Sequence, residues 1–220
     1  MSRSINQAVM EGRLTQADAG LISAFIAERK ITHGIGIKRG MKISAALTTV
    51  RRFVPQYTEL TAPTLYYGIE QIYHADSDRG KPFSVHSQSD LISILKQFCF
   101  WLTENNEIEI SENKIRAIKV PKGTPTRTAA DILTCDEIQA MLETCMNSRD
   151  RAMFLIMYEG GLRVGEIGQM KWGDIKIDGT GLVINVTFKT GKPRYIRLVM
   201  SHTLLRRLRT SGRPVGCIPL

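Results

Sequence analysis

A chain of 220 residues and 24.7 kDa is long enough to bury a core without disulfides or metal, which excludes disorder as a reading of the whole chain. Hydrophobic residues at 43% and charged residues at 23% match ordinary globular proteins, so composition alone names no class. Thirty Lys and Arg against twenty-one Asp and Glu leave +9, a balance that favours a polyanionic partner.

In chain order, Thr15 and Asp18 form a capping box ahead of Leu21, Phe25 and Ile26, which predicts a helix to Arg29. Residues 30–42, rich in glycine and basic side chains, read as a loop. Leu47, Val50, Phe53 and Val54 then mark a second helix, and residues 64–74 a third. Ser87 and Asp90 open a fourth, whose Leu91, Ile94, Leu95, Phe98 and Leu102 make a wide apolar stripe. The run V-P-K-G-T-P-T-R-T at 120–128 reads as an interdomain linker. Beyond it Thr134 and Glu137 form another capping box, Ser148 caps a further helix, Gly160 and Gly161 stop it, and a short helix covers 164–170. The period then changes to that of strands at 175–177, 182–187 and 195–199, predicting a three-stranded antiparallel sheet whose last turn spans 189–193.

Charge is unevenly spread. Asp178 is the last acidic residue, and Lys189, Lys192, Arg194, Arg197, Arg206, Arg207, Arg209 and Arg213 follow it with no counter-charge. A phosphate backbone would relieve their mutual repulsion, and pairing with earlier carboxylates is the plainer alternative. In the first half, Arg29, Lys30, Lys38, Arg39, Lys42, Arg51 and Arg52 cluster around one loop and the helix after it, and are expected to contact phosphates.

Other chemistries find little support. Gly34, Gly36 and Gly40 have the wrong spacing for a dinucleotide loop, and Gly191-Lys192 lacks the following Ser or Thr of a Walker motif. The histidines at 33, 74, 86 and 202 and the cysteines at 99, 135, 145 and 217 show no metal-ligand spacing, so no metal and no cofactor is expected. Unpaired cysteines, no apolar leader and no long apolar run predict a cytoplasmic protein.

The informative segment is Y-E-G-G-L-R-V-G-E-I-G-Q-M-K-W-G-D, residues 158–174. Arg163 follows a helix-breaking glycine pair, where a guanidinium fork can be aimed at a phosphate, and Glu166 three residues on can orient it. From the residues alone, a structural Arg163–Glu166 pair explains the spacing equally well.

This segment resembles the first catalytic box of the tyrosine recombinase family, the phage integrases and Xer-like recombinases. The likeness runs through Trp172 and Asp174 into F-K-T-G-K-P-R-Y-I-R-L at 188–198, similar to that family's catalytic-lysine hairpin, and covers roughly 134–200. It implies a mostly α fold with a small antiparallel sheet. Residues 1–120 would be a four-helix, SAM-like core-binding domain, 121–129 a linker, and 130–220 the front part of an α+β catalytic domain. It also implies roles: Arg163 clamps the scissile phosphate, Glu166 supports the box, and Lys189 protonates the leaving 5'-oxygen, with Lys192 as runner-up. Lys192 and Arg194 are otherwise expected to bind DNA. The implied partners are duplex DNA and other recombinase protomers, with no membrane.

The family's later H-x-x-R box and tyrosine nucleophile have no match here: His202 and Arg206 are wrongly spaced, and Tyr195 falls inside a strand. The expectation is therefore a recombinase region that does not cleave DNA alone. The rivals are a non-catalytic DNA-binding regulator or recombinase relic, and a basic scaffold for RNA or protein.

Overall fold

The computed structural model describes residues 2–77, 80–123, 128–187 and 193–199. Two compact units divide the chain, Met1–Thr126 and Arg127–Leu220.

In the first unit the described helices are α1 (Ser2–Met10), α2 (Gln16–His33), α3 (Ile37–Val50), α4 (Ala62–His74), α5 (Val85–Glu104) and α6 (Glu112–Ala117). The four helices expected from the sequence are α2 to α5, and α1 and α6 are additions. The Thr15–Asp18 capping box is present in full, with Asp18 N–H donating to Thr15 Oγ1 and Thr15 N–H to Asp18 Oδ2. The cap of α5 is Ser84, three residues earlier than expected, its Oγ accepting from Ser87 N–H.

The stretch 30–42 is not a loop: α2 runs to His33, Gly34 ends it in left-handed conformation (φ 60°), and α3 begins at Ile37. Small residues explain the difference. The buried face of α3 opens with Gly40, Ser44 and Ala46 beside Ile43 and Leu47, so its inner side lacks the bulky stripe that announces a helix.

The core of this unit centres on Phe98 of α5. Tyr57 meets it edge-on at 4.9 Å, Phe25 packs at 5.2 Å, and Trp101 stacks at 5.9 Å. Tyr57 is held in place by polar contacts: its hydroxyl donates to the Leu47 carbonyl and its N–H to Asp18 Oδ1 at 2.9 Å. The Asp18 carboxylate is fully buried and also accepts from Arg51 Nε at 2.8 Å. One acidic side chain thus ties the start of α2 to the end of α3 and the turn beyond it.

The second unit contains α7 (Cys135–Thr144), α8 (Ser148–Gly160), α9 (Val164–Ile167) and strands β1 (Ile175–Asp178), β2 (Gly181–Val186) and β3 (Arg194–Leu198). The strands pair antiparallel in the order β1-β2-β3, with Ile175 opposite Ile184 and Ile184 opposite Ile196. Ile156, Leu162, Ile167, Met170, Ile175, Leu182, Ile184 and Leu198 form its main core. Asn147, not Ser148, caps α8, and α9 ends at Ile167, shorter than the sequence suggested. Gly181 sits at φ 150°, where a Cβ would lie 2.5 Å from the Leu198 carbonyl, so the β2–β3 approach requires glycine.

Among the described residues no helix is long and apolar enough to cross a membrane, and no group of three metal-ligating side chains converges.

Candidate functional site

The corner that presents Arg163 is built by two opposite needs. α8 stops because Gly161 adopts φ 57°, a conformation costly to a residue with a Cβ. Leu162 (6% exposed) then plugs the core, and Arg163 turns extended (φ −76°, ψ 149°) as the residue before α9. Ile167 and Met170, both buried, pin the short helix from below. Arg163 is thereby left on the surface at a fixed backbone angle.

Glu166 fixes it further. Its side chain is 3% exposed, whereas those of Arg163 and Arg194 are 69% and 45% exposed. Arg163 N–H donates to Glu166 Oε2 at 2.8 Å and Arg163 Nη1 to Oε1 at 3.2 Å. Arg194, the first residue of β3, donates from Nη2 to Oε2 at 2.7 Å. The Glu166 carboxyl lies below its ordinary range, chiefly through the Arg163 backbone N–H; burial opposes this, and the Arg194 and Arg163 charges add to it. A carboxylate held ionised under two exposed guanidiniums is a support for cations that face outward.

Beside it lies a cavity of about 80 Å³ lined by Glu166, Gln169, Met170, Asp174, Asn185, Val186 and Thr187. Asn185 Oδ1 is buried there, with no hydrogen-bond partner among the described residues. Nothing in the spacing of Asn185 along β2 marks it out in the sequence. The link from Arg194 to Glu166, across 28 residues, was equally silent: it depends on β3 starting opposite Val186.

Lys189 and Lys192 lie outside the described residues. Of the cations after Asp178, Arg194 pairs with Glu166 at 2.7 Å and Arg197 with Asp178 at 2.8 Å, so these two have carboxylate partners while about half of each side chain stays exposed. Tyr195 lies in β3, 69% exposed.

In the first unit, Lys30, Lys38, Arg39, Lys42 and Arg52 are exposed along the end of α2, the start of α3 and the turn after it. Lys42 Nζ reaches Asp90 at 2.6 Å in a surface pair, and the Arg52 guanidinium lies 5.2 Å over the Phe53 ring. Arg29, half-buried, lies over Phe25 and bonds His33. Arg51 differs. Its side chain is 16% exposed, its Nε is bound to Asp18, and its Nη1 donates to the Val54 carbonyl. Ile37 and Met41, 72% and 49% exposed, stand among these cations and were not singled out from the sequence.

Residues 131–212 match the phage integrase family. The tyrosine recombinase XerD of Lacticaseibacillus casei is 29% identical over 185 residues, covering 82% of this chain and 59% of that protein. The tyrosine recombinase XerA of Pyrococcus horikoshii is 31% identical over 127 residues, covering 58% of this chain and 40% of that one. This chain therefore spans less than two thirds of these relatives. Among solved structures, the lambda integrase bound to DNA superposes with a TM-score of 0.68 at 20% identity, over 91% of this chain and 69% of that one.

Proposed function

We propose that this chain, whose residues 131–212 match the phage integrase family, is the DNA-binding and partial catalytic region of a site-specific tyrosine recombinase. Its substrate is duplex DNA, and Arg163 is the clamp on the phosphate to be cleaved. One observation carries this reading: an exposed guanidinium at a fixed corner, braced from beneath by a buried and ionised Glu166. Phosphoryl transfer places negative charge on the nonbridging oxygens, and a preoriented guanidinium stabilises that charge without reorganising. Lys189, on the segment that joins β2 to β3, is assigned to protonate the leaving oxygen.

On this reading residues 1–120 are a helical DNA-binding domain, 121–129 a linker and 130–220 part of the catalytic domain. Arg29, Lys30, Lys38, Arg39, Lys42 and Arg52 supply phosphate contacts from the first domain; Arg51 is left out because Asp18 and the Val54 carbonyl occupy it. Arg194 and Lys192 belong to the DNA face of the second. Other protomers on the same DNA are the expected protein partners, and the reading implies a cytoplasmic protein.

Titration of a fluorescent mixed-sequence duplex at 50 mM salt tests it. The chain is expected to bind, and Arg163→Ala to bind about tenfold more weakly, the scale of one lost charged hydrogen bond. No binding at low salt overturns the reading.

A further inference from the structure

We propose that Arg163 and Arg194 form a paired-guanidinium site for one backbone phosphate, with Glu166 as the brace that holds both forks; this rests on the DNA-binding reading above. Arg163 precedes α9 and Arg194 opens β3, 28 residues later, yet both donate to the two oxygens of one carboxylate. A phosphodiester offers two nonbridging oxygens in a spread close to that of a carboxylate, and guanidinium forks bind both kinds of acceptor. Two groups that converge on one can therefore converge on the other.

Charge and exposure point the same way. Arg163 alone neutralises Glu166, so Arg194 leaves the trio with one net positive charge, the complement of a single phosphodiester. Each guanidinium carries five N–H donors, and the bonds from Nη1 of Arg163 and Nη2 of Arg194 to Glu166 engage one apiece. With side chains 69% and 45% exposed over a carboxylate that is 3% exposed, the rest of each fork faces away from the core. The competing account makes Arg194 a counter-ion for Glu166 and nothing more.

Salt dependence separates the two, because the slope of log affinity against log salt counts phosphates neutralised, about 0.9 for each. The 220-residue chain, Arg163→Gln, Arg194→Gln and the double variant would be titrated with one mixed-sequence duplex from 50 to 200 mM salt. If one phosphate is shared, each single variant loses affinity several-fold with little change of slope. The double variant then loses about 0.9 in slope. A double-variant loss of about twice that would mean two separate phosphates and overturn the proposal, as would unchanged affinity in Arg194→Gln. Should Arg194→Gln melt early, Arg194→Lys carries the test, since it keeps the charge beside Glu166 and loses only the fork. Its affinity should drop with the slope preserved, and full affinity would overturn the proposal. Absence of binding by the unaltered chain would instead strike the DNA-binding reading itself.

Discussion

Affinity for duplex DNA is expected to fall roughly 10³-fold or more between 50 and 200 mM salt, provided six or more phosphates are engaged. That number is within reach of the cations described. Arg29, Lys30, Lys38, Arg39, Lys42 and Arg52 offer six from the first unit, and Arg163 and Arg194 serve at least one phosphate from the second. Lys42 does not need to be discounted for its pairing with Asp90, because both side chains are about half exposed and such surface pairs contribute little. Fluorescence anisotropy at four or five salt concentrations measures the slope. A flat isotherm would mean that these side chains do not meet a phosphate backbone.

Asp18→Ala should destabilise the first unit by about 3–5 kcal/mol, the cost of breaking a buried ion pair from one side. The substitution strands the Tyr57 N–H and the Arg51 guanidinium, and it removes half of the α2 capping box. Urea titration measures the loss, and a change below about 1 kcal/mol would show the network to be dispensable. The same group makes stability pH-dependent. Burial raises the Asp18 carboxyl, but the hydrogen bonds from Tyr57, Arg51 and Thr15 outweigh it and leave the group below its ordinary value of 3.8. A depressed carboxyl stabilises the folded state above its unfolded pKa, so the contribution is present at neutral pH and fades as pH falls below about 4. Asp18→Asn should flatten that acid limb.

Much of this was legible in the sequence, where residues announce structure locally. The Thr15–Asp18 and Thr134–Glu137 boxes, the α5 stripe and the Gly160–Gly161 stop are all read from neighbours a few residues apart. α1 escaped because Ile5 and Ala8 are its only described buried apolar side chains, too few to show a period. The start of α3 escaped because its inner face is made of small residues while Ile37 and Met41 face outward.

The site divides in the same manner. Arg163 and Glu166 are three residues apart and showed as a pair, but spacing alone could not tell a surface ion pair from a braced cation. Burial of Glu166 and the arrival of Arg194 from β3 make that distinction, and both are products of the fold. Arg51 shows the converse: its place in a basic cluster suggested a ligand contact, and its partner, Asp18, lies 33 residues away.

The most direct test of Arg163 as a phosphate clamp is single-turnover cleavage of a suicide duplex. It requires a form of the protein that includes an H-x-x-R box and a tyrosine nucleophile. Arg163→Ala should cost on the order of 10²-fold or more in rate, as loss of one preoriented donor to a developing oxyanion can. A 5'-bridging phosphorothiolate, whose leaving group needs no proton, should restore Lys189→Ala and leave Arg163→Ala slow. Arg163→Ala cleaving within a few-fold of the unaltered protein, or restored by the phosphorothiolate, would contradict the account.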